Sequence, residues 1–215
     1  MKYKAIFIDL DGTILVTLKD IAYSVNYSLK EHNLPCKTEA QILTYIGNGS
    51  KYLIQKAMDY NGDDELFTSV FNVYKDYYIA HPADFTTPYE GIYDVLKEFK
   101  DKGGKIALVS NKPQEIAIRL INKFFDNIFD VVYGQQDSIP RKPNPDAIYL
   151  AMKDLNITDK NDILYIGDSL VDLSTSRNAG VKCLLCNYGY GLENQIQECG
   201  NDYINHANEI KGYLY

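Results

Sequence analysis

The sequence predicts an α/β fold: a Rossmann-like parallel sheet core in three layers, into which a small α-helical cap domain is inserted. Three observations support this prediction. After Pro88, apolar patterns typical of helices and strands alternate, as in βαβ units with right-handed crossovers. Between the first strand and Pro88 the apolar spacing is helical. Charged and polar residues follow several strands, at the positions where open parallel sheets bind ligands.

The first predicted strand ends in two carboxylates. Residues 6–8 (Ile-Phe-Ile) form the apolar run expected of a strand that is buried on both faces. Asp9 and Asp11 follow, and Gly12 breaks the strand so that backbone N–H groups can turn toward its tip. Asp is common in turns, but a carboxylate pair at this position also suits a hard cation such as Mg²⁺.

Residues 15–87 are predicted to form the helical cap domain. Apolar residues recur at helical spacing in the segments 18–33, 38–46, 50–60 and 63–80. Thr38 and Gln41 are spaced as a capping box at the start of the second segment. Gly47-Asn48-Gly49 breaks the chain before the third segment. The polar, Pro-containing residues 82–88 are expected to return the chain to the core.

Residues 1–14 and 88–215 are predicted to form the core domain. Helices are expected at 91–102, 116–125, 144–155 and 171–179, and strands at 106–109, 131–133, 163–166 and 181–186. Gly180 is expected just past the end of the last helix, where glycine is favoured. The C-terminal tail, with Ile196, Ile204 and Ile210, has no clear pattern.

The composition restricts the classes of partner. The chain has 215 residues and is 46% hydrophobic, which is enough for a substantial core. Its net charge of −7 argues against a general affinity for nucleic acid or for anionic membranes. The sequence has neither an apolar run that could cross a bilayer nor a signal-peptide pattern. We therefore expect a cytoplasmic protein that binds no nucleic acid and no membrane. A monomer or a homodimer is expected, although the composition does not bear on the oligomeric state.

Polar residues at four strand ends or βα loops are predicted to meet at one edge of the sheet. They are Asp9 and Asp11, Ser110 and Asn111, Lys142, and Asp168 and Asp172. Taken singly, Ser110, Asn111 and the later aspartates could cap helices, and Lys142 could lie on the surface. Together they combine acids for Mg²⁺, an acid left over as nucleophile, a lysine and neutral donors. Phosphoryl transfer needs this combination, because three equatorial oxygens must be neutralised and the reacting atoms held in line.

Four short motifs occur in order along nearly the whole chain. They are Asp9-Leu10-Asp11-Gly12-Thr13, Ser110-Asn111-Lys112, Lys142-Pro143-Asn144-Pro145 and Gly167-Asp168-Ser169-Leu170-Val171-Asp172. In content and order they resemble the haloacid dehalogenase-like hydrolase superfamily. The helical insert is similar to the small helical cap of that superfamily. With Gly47-Asn48-Gly49 in the cap, the layout is most similar to the phosphoglycolate phosphatase group.

The resemblance implies roles for the motif residues. Asp9 would be the nucleophile that takes the phosphoryl group, and Asp11 would protonate the leaving oxygen and then activate water. The implied metal ligands for Mg²⁺ are Asp9, Asp11 through its main-chain carbonyl, Asp168 and, through water or by orienting the others, Asp172. The implied phosphate-binding residues are Thr13, Ser110, Asn111 and Lys142. An acid at position 11 favours phosphate ester hydrolysis over dehalogenation, because a halide leaves without a proton.

The resemblance also implies that the cap selects the substrate, since it closes over the strand ends and excludes water. Asn48, Gly49 and Lys51 are predicted to approach the substrate, although Gly47-Asn48-Gly49 also reads as a plain turn between helices. The first candidate substrate is phosphoglycolate. The alternatives are a phosphatase for pyrophosphate, a nucleotide or a sugar phosphate, and a β-phosphoglucomutase-like phosphomutase. A phospho-aspartate signalling domain is a further class, which the helical insert and Asp11 disfavour.

Overall fold

The structure is a computed structural model that describes residues 1–191, 200 and 202–215. Its strands are β1 (Ala5–Ile8), β2 (Leu15–Val16), β3 (Thr87–Pro88), β4 (Lys105–Pro113), β5 (Val131–Gln135), β6 (Ile163–Gly167), β7 (Lys182–Cys186) and β8 (Tyr203–Ile204). Its α-helices in the described residues are α1 (Leu18–Glu31), α2 (Glu39–Leu43), α3 (Ser50–Ala57), α4 (Asp64–Ala80), α5 (Ile92–Asp101), α6 (Gln114–Phe124), α7 (Asp146–Asp154), α8 (Leu170–Ala179) and α9 (Lys211–Leu214). Short 3₁₀ helices span Lys160–Asp162 and Ala207–Ile210.

A parallel sheet forms the core, and β1 lies in its middle. Among the described residues the strand order is β5-β4-β1-β6-β7-β8, and all of these neighbours pair in parallel. Because β1 pairs with β4 on one side and β6 on the other, the residues that follow these three strands are brought together. The predicted α/β fold class is confirmed.

The two faces of the sheet contact different helices. Successive side chains of a strand point to opposite faces, and β1 follows this rule. Ile6 packs in the apolar cluster that also holds Phe99 of α5 and Leu120 of α6. Phe7 packs in a second cluster, with Ile148 of α7 and Leu173 of α8. The apolar run at residues 6–8 is therefore explained by burial on both faces.

Along the chain, helices α1 to α4 follow β2 and precede β3, and these two strands form a short antiparallel ribbon. Strand β2 pairs with β3, so the chain enters and leaves this helical segment at adjacent points. The buried Asp20 carboxylate closes the same junction, since it accepts hydrogen bonds from the backbone N–H groups of Phe85 and Thr86 and from the Thr86 hydroxyl. The division into a core of 1–14 and 88–215 and a cap of 15–87 stays a prediction, and the ribbon lies at those boundaries.

Most predicted elements form within a few residues of their expected limits. The capping box of Thr38 and Gln41 is present at the start of α2, and Gly180 follows α8 with φ of 76°. Strand β4 is longer than predicted and continues to Pro113. The ribbon strands were not predicted, because two residues are too few to show a period. Ile204 lies in β8 and Ile210 ends a 3₁₀ helix, whereas Ile196 lies outside the described residues.

Within residues 1–191, 200 and 202–215, no helix combines the length and apolar character needed to cross a bilayer.

Candidate active site

Asp9 lies at the carboxyl end of β1, where its backbone N–H donates to the carbonyl of Ile166 at 2.9 Å. Its carboxylate is almost fully buried, and its Oδ1 atom lies 3.0 Å from Lys142 Nζ. Burial raises the pKa of Asp9 to about 6, against the lowering effect of Lys142 and of a hydrogen bond from Ser110. Asp9 is thus a poorly hydrated carboxylate that depends on nearby positive charge to stay ionised.

Lys142 supplies that charge and joins two aspartates. Its ammonium group lies 2.7 Å from Asp172 Oδ1, and it also donates to the carbonyl of Val109 at 3.1 Å and to the hydroxyl of Tyr165 at 3.2 Å. Burial alone would lower the pKa of Lys142, but Asp172 and Asp9 raise it above its ordinary value. The lysine is therefore cationic at neutral pH and fixed in place.

Asp168 follows β6 and faces Asp9 across the sheet edge. Its two oxygens accept hydrogen bonds from the Thr13 hydroxyl at 2.8 Å and from the backbone N–H of Tyr190 at 2.6 Å. Burial, followed by the charges of Asp172 and Asp9, raises the pKa of Asp168 to about 8. Gly12 has φ of 79°, and a Cβ there would lie 2.3 Å from Asp168 Oδ2, so only glycine fits beside this carboxylate.

Three carboxylates form a group that could hold a divalent cation. One oxygen from each of Asp9, Asp168 and Asp172 lies within 4.8 Å of the others. Asp9 Oδ1 is buried and, among the described residues, has no hydrogen-bond donor in good geometry, despite the ion pair with Lys142. A buried oxygen without a well-aligned donor, close to the Asp168 carboxyl with its raised pKa, is an environment that a hard cation would stabilise. The residues present therefore fit a divalent metal ion.

Asp172 contributes differently from the other two acids. It is fully buried, and both of its oxygens already accept hydrogen bonds. Oδ1 contacts Lys142 and, at 3.0 Å, the Tyr165 hydroxyl, while Oδ2 accepts from the hydroxyl and the backbone N–H of Ser169 in a capping box at the start of α8. This arrangement suits orientation of Lys142 and of the metal group more than direct ligation.

Asp11 is held by two donors on a single oxygen. Its Oδ1 atom accepts from the Thr17 hydroxyl at 2.6 Å and from Lys112 Nζ at 2.7 Å. Lys112 also donates to the hydroxyl of Tyr78, which lies on α4. The backbone N–H of Thr17 donates in turn to the hydroxyl of Tyr190 at 2.6 Å. Asp11 is thus linked both to the helical segment and to the loop after β7.

The remaining predicted phosphate-binding residues take distinct positions. Ser110 lines the cavity beside Asp9. Thr13 is buried behind Asp168, to which its hydroxyl donates. The side-chain amide of Asn111 donates to the carbonyls of Gly47 at 2.9 Å and Lys142 at 3.1 Å, and it accepts from the Lys142 N–H. Asn111 therefore joins the turn after α2 to the loop that carries Lys142.

A cavity of about 290 Å³ lies between these acids and helices α1 to α4. Its wall includes Asp9, Asp11, Ser110, Lys112 and Asp168 on the sheet side, and Ile21, Leu43, Ile46, Leu53 and Tyr74 on the helical side. Of the predicted cap residues, Gly49 lines the cavity, with Gly47 and Ser50 beside it. Asn48 and Lys51 are exposed and lie outside the described lining. The Asn48 carbonyl instead accepts a hydrogen bond from Arg141 at 2.9 Å.

Sequence reasoning assigned no role to several residues of the site. Lys112 could have been found, because it stands beside Ser110 and Asn111 at the end of a predicted strand. Tyr78 and Tyr190 could not, since nothing in a tyrosine-rich sequence separates two site tyrosines from seventeen others. Their roles depend on contacts between distant segments, which one sequence does not reveal.

Comparison with known proteins identifies the family to which this fold belongs. A profile of the haloacid dehalogenase-like hydrolase family matches residues 6–186. The chain therefore belongs to the haloacid dehalogenase-like hydrolase family, as the four motifs predicted.

Sequence and structural similarity narrow the family assignment to a group of phosphatases. The chain is 32% identical over 211 residues to a phosphoglycolate phosphatase from Haemophilus influenzae (strain 86-028NP), covering 94% of each chain. It is 31% identical over 208 residues to one from Thiobacillus denitrificans, covering 94% of this chain and 90% of the relative. It also superimposes with a TM-score of 0.93 and 28% identity on the crystal structure of a predicted phosphoglycolate phosphatase from Haemophilus somnus, covering 100% and 99% of the two chains. The predicted enzyme class, a phosphatase of the phosphoglycolate phosphatase-like group, is confirmed.

Proposed function

We propose that this chain is a Mg²⁺-dependent phosphatase that hydrolyses a small phosphorylated metabolite through an aspartyl-phosphate on Asp9. The observation that carries the proposal is the position of Asp9, which lies beside Lys142, Asp168 and Asp11 at the floor of one cavity. The cavity is at the small end of the range for ligand sites, which suits a substrate of few atoms. Phosphoglycolate is the first candidate, because similar proteins bear that name.

In the first step, an oxygen of Asp9 forms a bond to phosphorus and the bond from phosphorus to the ester oxygen breaks. The leaving oxygen keeps the electron pair of the broken bond and takes a proton from Asp11. Lys142 holds Asp9 in its ionised form, as nucleophilic attack requires. Ser110, which lines the cavity, would donate a hydrogen bond from its hydroxyl to the phosphoryl group.

In the second step, Asp11, now a carboxylate, takes a proton from a water molecule whose oxygen attacks phosphorus. The bond between phosphorus and Asp9 breaks, so that inorganic phosphate and the free Asp9 carboxylate are regenerated. Mg²⁺ would be held by Asp9, Asp168 and the main-chain carbonyl of Asp11, with Asp172 orienting them, and it would neutralise charge on the phosphoryl oxygens. The helical segment over the cavity limits the entry of bulk water.

A screen for phosphate release tests the proposal. Wild-type protein is incubated, with and without Mg²⁺, with phosphoglycolate, pyrophosphate, nucleoside monophosphates and sugar phosphates. We expect Mg²⁺-dependent release from at least one of these compounds and none from the Asp9→Asn variant. Net isomerisation of a sugar phosphate without release would indicate a mutase instead. Absence of release from every compound would contradict the proposal.

The covalent intermediate can be tested separately in the Asp11→Asn variant. This variant lacks the base for the second step, so it should accumulate phosphorylated Asp9 when it is given p-nitrophenyl phosphate, whose leaving group needs no proton. Mass spectrometry of the acid-quenched protein should then detect one added phosphoryl group.

The cytoplasmic location and the monomeric or homodimeric state stay predictions.

A further inference from the structure

Lys112 is a buried lysine to which the proposed mechanism gives no role. Its side chain is at the end of β4 and is only 2% exposed. Its ammonium group lies 2.7 Å from Asp11 Oδ1 and 2.5 Å from the hydroxyl of Tyr78. Burying an ammonium group is costly, and an apolar side chain of similar volume is often as good for packing. Its contacts therefore point to a function in addition to packing.

The side-chain donors that the described residues offer to Asp11 reach the same oxygen of its carboxylate. Among the described residues, the two side-chain donors, Lys112 and Thr17, both reach Oδ1. The second oxygen, Oδ2, is left to carry the proton. A general acid works only when its proton is within hydrogen-bond reach of the leaving oxygen, so the rotation of this carboxylate matters.

We propose that Lys112 is a positioning residue for the reaction. It holds Asp11 by Oδ1 so that Oδ2 presents its proton to the leaving group, and through Tyr78 it links that orientation to the cap helix α4. This inference rests on the proposed function, because it assumes that Asp11 is the acid in the first step and the base in the second. Tyr78 stays neutral in this role, since burial raises its pKa well above the ordinary value.

A competing role for Lys112 has to be separated from this one. Among the described residues that line the cavity, Lys112 carries the one positive charge. It could therefore bind an anionic group of the substrate, such as a carboxylate. The two roles differ in their dependence on the leaving group: positioning matters for every substrate whose leaving oxygen needs a proton, whereas charge recognition matters only for anionic substrates.

The test measures kcat/KM of wild type and Lys112→Met with three esters: ethyl phosphate, phosphoglycolate and p-nitrophenyl phosphate. General acid catalysis contributes about 10²- to 10⁴-fold, and a displaced acid retains part of it. We expect kcat/KM to fall about 10- to 100-fold for both alkyl esters. For p-nitrophenyl phosphate it should stay within about threefold, because p-nitrophenolate leaves without a proton and kcat/KM reports only steps up to its departure.

A second readout follows the later step. If Asp11 is displaced, it is also a poorer base for hydrolysis of the aspartyl-phosphate. Lys112→Met should therefore release a burst of p-nitrophenol followed by a slower steady state, and the burst should be larger than in wild type. A loss of packing alone would not separate the two phases in this way.

Two further variants keep the test decisive. Tyr78→Phe removes one hydroxyl and keeps the ring, so it should fold even if Lys112→Met does not. It should show the same dependence on the leaving group with a smaller loss, about three- to tenfold. Lys123→Met is the matched control: this lysine donates to the carbonyl of Ala83 and lies outside the described cavity lining, so its kcat/KM values should match wild type.

Each other result overturns the inference. Loss confined to phosphoglycolate would assign Lys112 to substrate charge, and equal loss with all three esters, or no loss, would assign it to packing. Wild-type protein that releases phosphate from no ester would instead refute the proposed function, before any variant is compared.

Discussion

The two sides of the cavity differ in almost every physical respect. The sheet side carries a network of predicted motif residues, in which Lys142 forms ion pairs with both Asp9 and Asp172. The cap side is mainly aliphatic and aromatic, with Ile21, Leu43, Ile46, Leu53 and Tyr74. The sheet side is thus organised by ion pairs and hydrogen bonds, and the cap side by packing.

This difference suggests a division of labour. A charged network can stabilise charge that develops in a transition state, so changes there should affect kcat. Apolar contacts act about equally on substrate and transition state, so changes there should affect KM. A sheet-side variant that alters only KM, or a cap-side variant that alters only kcat, would contradict this division of roles. Four predictions test it, from the largest expected effect to the smallest.

Asp9→Asn should abolish turnover, with kcat reduced by about 10⁴-fold or more, because an amide cannot replace the carboxylate nucleophile. Stability should not fall with activity. The native carboxylate is buried and its pKa is raised to about 6, so a neutral isostere costs nothing in desolvation. Kinetics and thermal unfolding should therefore diverge. Retention of more than about one percent of kcat would remove Asp9 from its proposed role.

Lys142→Met should damage both activity and stability. It leaves Asp172 fully buried without its cation, and removing one partner of a buried ion pair costs about 3–5 kcal/mol in the free energy of unfolding. The double variant Lys142→Met/Asp172→Asn should recover part of that stability, since one of the two carboxylates left without their cation is now neutral, but it should recover no activity. Urea denaturation of wild type, Lys142→Met, Asp172→Asn and the double variant measures the coupling. Simple additivity of the two single-variant effects would show that the network does not act as a unit.

Because Asp9, Asp168 and Asp172 could hold a metal ion, we expect the free energy of unfolding to depend on both pH and Mg²⁺. Without metal, the pKa values of Asp9 and Asp168 are raised to about 6 and about 8, above the ordinary value of about 4. Between about pH 4 and pH 8 the folded protein then binds more protons than the unfolded chain. The stability that these two groups contribute is therefore fully present below about pH 4 and is lost as pH rises through 6 to 8.

Mg²⁺ should offset that loss, because it replaces the protons as the partner of the carboxylates. At a hundredfold excess over its Kd it adds about 2.7 kcal/mol, or about 5–10 °C in Tm for a protein of this size. Thermal unfolding with Mg²⁺ and with EDTA should differ more at pH 8 than at pH 5. The control, Asp168→Asn, should show a smaller difference at both pH values. An effect of Mg²⁺ that is greatest at acidic pH would contradict the assignment.

On the cap side, Ile46→Ser should raise KM about three- to tenfold and leave kcat within about twofold, because it removes an apolar contact near the substrate without touching the acids. Met58→Ser is a matched control: Met58 is also partly buried in the helical segment and packs on the same apolar cluster, but it is outside the described cavity lining. Its KM should stay at the wild-type value. Equal changes in both variants would indicate a general loosening of the cap.

The sheet side was also the part that sequence could predict. An apolar run as in β1 specifies a buried strand, and the carboxyl ends of neighbouring parallel strands meet whatever their distance along the chain. From this rule Asp9, Lys142, Asp168 and Asp172 were expected together, and the structure brings them within ion-pair or metal-binding range.

The cap side could be predicted as helices but not as a surface. Helical spacing indicates which residues are buried, not whether they face another helix or a cavity. Ile46 and Leu53 both fit the apolar spacing of their predicted helices, and only the docking of the helical segment over the sheet places them at the cavity. Asn48 and Lys51 were predicted from the position of a turn, yet the Asn48 carbonyl contacts Arg141 instead. The ribbon was too short to leave a pattern.

That ribbon bears on how such enzymes diversify. Leu15 is paired with Pro88 and Val16 with Thr87, so the chain departs from the sheet and rejoins it at neighbouring points. Segments whose ends lie close together are the ones that natural insertions and exchanges tolerate best. A foreign helical segment grafted between these two pairs would leave Asp9 and Lys142 in place while presenting a new surface to the cavity. Exchange of this one segment could thus change which substrate is bound, while the residues at the sheet edge stay unchanged.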